Sequence, residues 1–193
     1  MMQSSETMPI GDAIFGRCSV RAYTPEKVDR DTLQSLLAAA VRAPTAMHGE
    51  PWKFVIVQDV VVLERLSARA KALFSADAAH LHRDSRSLDA LSDPDFNVFY
   101  DAGTLVVICA GRHEDFAFAD CWLAAENLML TAYAKGLGTC VIGLAVSALN
   151  SPDVKQELGI PVEATAVAPI IVGRPSCAVQ PSSRHEPEIL AWR

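Results

Sequence analysis

The sequence predicts a single domain of mixed helix and strand, of the α/β or α+β class. Three short runs, at residues 52–57, 104–110 and 165–172, are apolar and rich in β-branched residues, as is typical of strands. Stretches with helical spacing separate these runs along the chain. No internal repeat and no linker interrupts the 193 residues, so we expect one domain over residues 1–193.

The first predicted helix and the first predicted strand lie on either side of a proline-containing turn. Asp31 and Thr32 are candidate N-terminal caps of the helix, and Pro44 lies beyond its end. Residues 52–57 form a short apolar, β-branched run, which predicts a strand buried on both faces. A second amphipathic helix is predicted over residues 63–73. The apolar residues of the first helix fall at the spacing of one helix face: Leu33, Leu36, Leu37, Ala40 and Val41.

The second half of the chain predicts a long central helix and two shorter elements. The helix covers residues 116–135 and ends at Gly136, a typical C-terminal breaker. A short strand is predicted over residues 139–144. Ser151, followed by proline, predicts the start of a brief helix that ends at Gly159.

Two segments have neither a helical nor a strand pattern. Residues 77–97 are polar and irregular, which predicts a mobile or lid-like segment. Residues 173–193 contain Pro175, Pro181 and Pro187 and cannot form a core alone. We therefore expect an extended tail that wraps a partner chain.

The charge balance argues against nucleic acid and membranes as partners. Acidic residues outnumber basic ones by 23 to 17, and the net charge of -6 repels phosphate backbones and anionic membranes. Asp120, Glu126 and Lys135 interrupt the most apolar stretch, residues 116–137, which a membrane span would tolerate poorly. Residues 1–9 lack the basic and apolar regions of a secretion signal, so we expect a cytoplasmic protein.

Cysteine and histidine usage gives no sign of a disulfide framework, a metal site or a covalent nucleophile. The cysteines are odd in number, form no CxxC pair and mostly lie in apolar runs, so we expect reduced core thiols. His80 and His82 have no carboxylate or cysteine at usable spacing, and no GxSxG elbow occurs. The five cysteines are Cys18, Cys109, Cys121, Cys140 and Cys177.

The segment Arg17-Cys18-Ser19-Val20-Arg21 is the first candidate binding motif. On an extended strand, residues at i, i+2 and i+4 project from one side, so two guanidiniums and one hydroxyl converge on one anion. Arginine forms bidentate, charge-assisted bonds to phosphate oxygens. The alternative is a pair of surface arginines that bridge to nearby acids, and the motif taken alone slightly favours that alternative.

The loop over residues 42–54 is the second candidate. Its proline and small residues leave backbone amides and carbonyls free to meet the edge of a flat heterocycle, and Pro44, Met47 and Trp52 supply apolar surface. The alternative is a plain helix-to-strand connection with Trp52 as a core aromatic, which we favour for Trp52. A dinucleotide-binding loop at residues 136–143 is rejected, because its glycines follow a helix and their spacing is not GxGxxG.

Six features occur in order along most of the chain, from about Ile14 to Glu188. Together they resemble the nitroreductase family of FMN enzymes. The resemblance implies an α+β fold with a central mixed or antiparallel sheet flanked by helices, and a homodimer that swaps the C-terminal extension, residues 173–193. The features are the Arg-x-Ser-x-Arg box, the helix into Ala43-Pro44-Thr45, the strand opening at Pro51-Trp52, Asn127-Leu128-Met129-Leu130, Gly136-Leu137-Gly138-Thr139-Cys140 and Val172-Gly173-Arg174-Pro175.

The resemblance also implies where FMN binds. The Arg-x-Ser-x-Arg box would hold the phosphate, and Arg184 would add a contact. Four loop residues would lie along the isoalloxazine, and the backbone at Gly143 and Leu144 would face its N5 and O4 side. The four are Pro44, Thr45, Ala46 and His48. The implied cofactor contacts are Arg17, Cys18, Ser19, Arg21, Pro44, Thr45, Ala46, His48, Gly143, Leu144 and Arg184.

As an activity, the resemblance implies hydride transfer from NADH or NADPH through flavin N5 to a small-molecule acceptor such as a nitroaromatic or a quinone. Donor and acceptor would use one pocket in turn, in a ping-pong cycle, and no catalytic side chain is needed. One alternative is a different flavin reaction, such as dehydrogenation, dehalogenation or flavin breakdown. Another is a non-catalytic flavin-binding or storage protein.

The chain departs from the family at His48 and Glu50, where members commonly have Asn and Gln. A histidine beside a flavin can change charge near neutral pH and so alter the reduction potential or the anion preference of the pocket. An ionised Glu50 close to the ring would disfavour a reduced anionic flavin, unless it pairs with an arginine. In the storage alternative, these two residues disable hydride entry.

Overall fold

A sheet of four antiparallel strands forms the centre of the computed structural model, which describes residues 8–78, 93, 95–111, 116–181 and 183–193. Helices flank the sheet, which confirms the predicted α+β class. The strands are β1 (Trp52–Val57), β2 (Thr104–Ala110), β3 (Gly138–Val141) and β4 (Thr165–Gly173), and their order in the sheet is β1-β2-β4-β3. The helices are α1 (Ile10–Gly16), α2 (Arg30–Ala40), α3 (Val60–Ala78), α4 (Ala117–Ala134), α5 (Val146–Leu149) and α6 (Pro152–Leu158).

The two central strands, β2 and β4, separate two hydrophobic cores. Successive side chains of β2 point to opposite faces of the sheet. Leu105 and Val107 lie in the core formed with α3, whereas Val106 and Ile108 lie in the core formed with α2 and α4. All strand pairs in this sheet are antiparallel, which excludes a parallel dinucleotide-wound architecture.

Strand β1 has the predicted bounds, but the predicted burial on both faces is wrong. Within the described sheet β1 pairs with β2 alone and occupies an edge. Val57 is buried, whereas Lys53 is exposed and Ile56 is 40% exposed. The apolar run therefore identified a strand, but sheet position decided how much of it is covered.

Helix α2 confirms the first predicted helix, although its cap lies elsewhere. Asp29, rather than Asp31 or Thr32, is the N-terminal cap, and its carboxylate accepts a 2.8 Å hydrogen bond from the Thr32 amide. Val41 follows the helix end and is exposed. The apolar face that is buried consists of Leu33, Leu36 and Ala40.

The long helix α4 ends as the sequence predicted. Gly136 adopts a φ of 74°, and the Leu137 amide donates a 2.9 Å hydrogen bond to the Ala132 carbonyl. The strand predicted over residues 139–144 is too long, because β3 ends at Val141 and a 3₁₀ turn covers Gly143–Ala145. Helix α6 follows its predicted start and ends before Gly159, whose φ is 67°.

Two short helices, α1 and α5, were not predicted. Helix α1 has only seven residues. Its exposed residues include the apolar Ile10, Ile14 and Phe15, so the sequence does not show the polar face by which an amphipathic helix is recognised. Helix α5 has only four residues, too few to display a period.

The remaining predicted segments have different outcomes. Most of the segment predicted to be mobile or lid-like, residues 77–97, lies outside the described residues, because positions 79–92 and 94 are not described. His80 and His82 belong to this part. The tail beyond β4 is almost entirely exposed, and Pro175 forms an isolated bridge with Tyr23.

Four cysteines are buried thiols, but Cys177 lies on the tail and is exposed, so it is not a core thiol. No described helix has the length and apolarity needed to span a membrane.

Candidate functional site

Residues 17–21, here called the arginine strand, run alongside β3. Ser19 forms a parallel bridge with Thr139, and the Val20 amide donates a 3.0 Å hydrogen bond to the Thr139 carbonyl. Cys18 and Val20 are buried, while the residues between and around them are half-buried or exposed. This alternation is the one-sided projection expected of an extended segment.

Two close contacts fix the arginine strand against the sheet. A Cβ added to Gly138 would lie 2.6 Å from Val20 Cγ2, so the two backbones approach as closely as they do because position 138 is glycine. The Tyr23 hydroxyl donates a 2.8 Å hydrogen bond to the Val20 carbonyl. Burial raises the pKa of Tyr23, which keeps this hydroxyl protonated as a donor.

The three polar side chains of the arginine strand influence the pKa of one buried thiol. Burial raises the pKa of Cys140, while the Arg21 charge, a hydrogen bond from Ser19 and the Arg17 charge act in the opposite direction. Cys140 lies in β3, directly after the residue that Ser19 bridges. Of the three residues, Arg21 also lines a cavity with Cys140.

Arg17 carries a buried donor without an acceptor. Its Nε lies 3.3 Å from Glu126 Oε1 on α4, but the geometry makes no hydrogen bond, and this nitrogen is inaccessible to solvent. A buried donor without an acceptor is costly. The pair with Glu126 partly realises the surface-arginine alternative.

Arg21 also reaches a second region. It lines a cavity of about 140 Å³ together with Gly143, Leu144 and the Phe96–Tyr100 pair, whose ring centroids are 5.5 Å apart in an edge-to-face arrangement. The structure thus brings Arg21 together with the backbone turn that the sequence assigned to the isoalloxazine N5 and O4 side.

The loop over residues 44–50, here called the 44–50 loop, has an unusual backbone. Met47, His48 and Glu50 adopt φ values of 51°, 55° and 41°, the left-handed region that non-glycine residues rarely occupy. Met47 is 96% exposed, and His48 and Glu50 are exposed as well, so burial of these side chains does not offset the strain. Strain of this kind concentrates at functional sites.

Asp120 contacts the 44–50 loop, and the sequence reasoning did not predict this contact. It lies in the first turn of α4, is only 5% exposed, and both of its carboxylate oxygens lie 3.3 Å from the Ala46 amide, which donates to them. The signal was present, because an acid within an apolar helix needs a partner. The partner lies 74 positions away, where no local pattern points.

In the described part of the chain, no hydrogen bond or ion pair links the other implied FMN-binding residues to the arginine strand. Arg184 is exposed on the tail, and its hydrogen bond goes to the Ser183 carbonyl at 3.5 Å. Pro44 is exposed and Thr45 is half-buried. The end of the 44–50 loop opens on a separate cavity of about 480 Å³ that Lys53 and Glu163 also line.

The volume of a cavity does not by itself identify the candidate site. A cavity of about 490 Å³ lies beside the start of α2 and the end of α4, where Lys27, Lys135 and Arg174 contribute to its walls. None of the residues that the sequence assigned to a binding site lines it. Arg174 forms an ion pair with Glu26, with 3.3 Å between Nε and Oε2.

The fold is an α+β arrangement that carries an arginine-containing strand beside β3 and, elsewhere in the chain, a loop with left-handed backbone. The model of the nitroreductase family matches residues 14–174, so the chain belongs to the nitroreductase family. A relative in Archaeoglobus fulgidus, provisionally named NADH dehydrogenase/NAD(P)H nitroreductase, is 25% identical over 170 residues, which are 84% of this chain and 83% of the relative.

Solved structures are similar over nearly the whole chain. A nitroreductase from Bacteroides fragilis with bound FMN is 26% identical, with a TM-score of 0.82, and the match covers 97% of this chain and 100% of the other. An FMN-bound nitroreductase from Desulfitobacterium hafniense shares the fold at 20% identity, with a TM-score of 0.82 and 100% of both chains covered. An iodotyrosine deiodinase bound to FMN and 3-iodo-L-tyrosine shares it at 22% identity, with a TM-score of 0.77 and coverage of 94% and 97%.

Proposed function

We propose that this chain is an FMN-dependent oxidoreductase that uses NADH or NADPH to reduce a small-molecule acceptor such as a nitroaromatic or a quinone. The observation that carries the proposal is the arginine strand, which runs beside β3 with Cys18 and Val20 buried and with two arginines and Ser19 between and around them. Guanidiniums and a hydroxyl on one side of an extended segment suit the oxygens of a phosphate. The FMN bound by the relative from Bacteroides fragilis supports the choice of phosphate-bearing cofactor.

In this proposal, the arginine strand holds the FMN phosphate. Arg17 and Arg21 supply charge, Ser19 supplies a hydroxyl, and Cys18 contributes its backbone position between them. Arg184 of the tail adds a further contact. When bound, FMN supplies reversible hydride acceptance at N5, which is the chemistry that a ping-pong cycle between a nicotinamide and an acceptor needs.

The other half of the site orients the ring. The 44–50 loop presents Pro44, Thr45, Ala46 and His48 to one edge, and the backbone of Gly143 and Leu144 faces the opposite side. Because Arg21 lines the same cavity as Gly143 and Leu144, its charge also favours negative charge at that end of the site. No side chain is assigned as catalytic.

A homodimer is part of the proposal. Helix α1 packs beside α4, and both expose large apolar residues, a feature that marks interaction surfaces. The tail exposes Leu190 and Trp192 in the same way. A second copy that covers these helices and exchanges residues 173–193 buries both sets. The exposed residues on α1 and α4 are Ile10, Ile14, Phe15, Phe118, Trp122 and Leu123.

A different flavin reaction is the second candidate. The iodotyrosine deiodinase that shares the fold demonstrates that this architecture hosts dehalogenation as well. A flavin-storage role is the third, and it requires His48 and Glu50 to prevent hydride entry. We also propose a cytoplasmic location, supported by free thiols at all five cysteines.

The test is an absorbance spectrum of the purified protein before and after anaerobic addition of NADH or NADPH. We expect an oxidised flavin spectrum that either donor bleaches, after which nitroaromatics, quinones and iodotyrosine are compared as acceptors. A bound flavin that neither donor bleaches would favour storage or another reductant. Absence of flavin even after FMN is supplied would overturn the proposal.

A further inference from the structure

Asp120 is a buried carboxylate with one backbone donor. Among the buried polar residues of the described ranges, it is the only acid. Its place in the first turn of α4 explains how the charge is tolerated, because the N-terminal end of a helix stabilises negative charge. Within the described part of the chain, no lysine or arginine lies within ion-pair distance of it.

The donor is the amide of Ala46, where the 44–50 loop turns. Both oxygens of Asp120 share this amide at 3.3 Å. Ala46 begins the 3₁₀ turn that ends at His48, and the Gly49 amide closes this turn with a 2.9 Å hydrogen bond to the Ala46 carbonyl. A tether at Ala46 therefore fixes the whole turn.

The turn needs such a tether because its own residues do not favour the conformation. Three of the four residues after Ala46 hold a left-handed φ, and the exception is Gly49, the one residue that adopts that region without cost. Their exposed side chains provide no packing that would hold them. The hydrogen bond to Asp120 links this strained backbone to the core helix α4.

We propose that Asp120 is the positioning residue of the cofactor site, holding the 44–50 loop in the conformation that meets the isoalloxazine. The inference rests on the proposed function, because it takes the loop to contact FMN. Asp120 itself touches neither the cofactor nor the substrate in this arrangement, and it acts through the Ala46 amide.

The test compares Asp120→Ala and Asp120→Asn with a matched control, Glu64→Gln, which neutralises an exposed acid on α3. The first readout is hydrogen exchange of the Ala46 amide in the flavin-free protein. The second is the FMN dissociation constant together with the flavin absorbance spectrum. Thermal unfolding verifies that each variant is folded.

In Asp120→Ala we expect Ala46 exchange to accelerate at least about tenfold, FMN affinity to fall about tenfold and the flavin band to shift. Asp120→Asn keeps an oxygen that accepts from Ala46, so we expect it to recover most of both properties. Glu64→Gln should match the parent in all three measurements.

Unchanged Ala46 exchange in Asp120→Ala would overturn the tether, whether or not FMN binds. Faster exchange with unchanged FMN affinity and spectrum would overturn the positioning role alone. If the parent chain binds no FMN, the proposed function fails and the positioning role fails with it, while the exchange measurement still decides whether the tether exists. Should Asp120→Ala not fold, Asp120→Leu takes its place, because leucine fills a similar volume and offers no acceptor, and unchanged Ala46 exchange in that variant would overturn the tether.

Discussion

The two halves of the candidate site are held in place in opposite ways. The arginine strand pairs its backbone with β3 and buries Cys18 and Val20. The 44–50 loop exposes most of its side chains and holds left-handed backbone at non-glycine residues, with the amide of Ala46 bound to Asp120. The first is thus a fixed platform and the second a strained segment tied to the core.

The difference suggests that the arginine strand and the 44–50 loop have different roles in the site. A phosphate group needs charges at fixed positions, and a segment locked to a sheet provides them without reorganisation. Each left-handed non-glycine residue of the loop costs on the order of 1 kcal/mol, and such conformations persist only where the surrounding structure enforces them. Changes to the arginine strand should therefore affect binding most, whereas changes to the loop should alter stability and tuning.

The largest effect is expected from the double variant Arg17→Ala/Arg21→Ala. Each charge-assisted hydrogen bond contributes about 1.5–3 kcal/mol, so FMN affinity should fall about 100-fold or more. The fold should persist, because neither guanidinium holds the sheet together. Fluorescence titration with FMN measures the affinity, and circular dichroism measures the fold.

The matched control is Arg30→Ala/Arg69→Ala, which removes the same net charge from exposed positions on α2 and α3. Arg69 forms a surface ion pair with Asp153, which contributes little to stability. We expect parent-like FMN affinity in this control. Equal losses in the two double variants would attribute the effect to overall charge and remove the phosphate assignment.

The next effect is expected from Gly138→Ala, which attacks the platform itself. The new Cβ would lie 2.6 Å from Val20 Cγ2 and 2.8 Å from Val20 Cβ, and this branched, buried side chain cannot turn away. Overpacking of this kind costs about 1–3 kcal/mol, so the free energy of unfolding should fall by that amount and FMN affinity with it. Denaturant unfolding provides the measurement.

Gly11→Ala is the control for Gly138→Ala, since no atom lies within 4 Å of the added Cβ in α1. It should keep or slightly raise the stability of the parent. If Gly138→Ala unfolds like the parent, the close approach of the arginine strand to β3 does not constrain the site.

A smaller effect of opposite sign is expected from Met47→Gly. Relief of the left-handed conformation gains about 1–2 kcal/mol, the entropy of glycine removes about 0.5–1 kcal/mol, and the exposed methionine loses no burial. The net result should be a stabilisation of about 0.5 kcal/mol, measured by thermal unfolding. Met47→Ala retains the strained φ and should not share this gain. If Met47→Gly is instead less stable than Met47→Ala by about 0.5–1 kcal/mol, the entropy cost of glycine alone, position 47 stores no strain.

The smallest effect is expected from His48→Asn, which tests whether the loop tunes the cofactor. Asparagine cannot ionise between about pH 5 and 8, whereas an imidazole can, so the rate of flavin reduction should lose part of its pH dependence. Stopped-flow reduction across this range measures the profile. His185→Asn, on the exposed tail, is the control. Superimposable profiles for His48→Asn and the parent would place the imidazole away from the ring.

Local sequence patterns predicted much of the fold. β1 and β2 begin and end where the apolar runs do, and α4 ends at Gly136 as its breaker predicted. The cap of α2 was misplaced by two residues, because Asp29 and Asp31 are equally suited by type and only the backbone geometry separates them. The four-residue α5 was missed, since a segment that short has no measurable period.

The candidate site likewise has one part that the local sequence predicts and another part that it does not. The spacing of Arg17, Ser19 and Arg21 already places three groups on one side of a strand, and the structure pairs this strand with β3 through Ser19. The tether from Asp120 to Ala46 and the cavity shared by Arg21 and Gly143 could not be predicted. Neither contact follows from any periodicity, because the partners are more than 70 positions apart in the chain.

By itself, the sequence determined the α+β class, the strand and helix cores and the arginine strand, because these depend on the side chains of neighbouring residues. Only the tertiary structure decided the order β1-β2-β4-β3, the exposure of β1 and the anchoring of the 44–50 loop by Asp120. These features depend on which segments pack together, and that choice is made by the whole chain when it closes around its two cores.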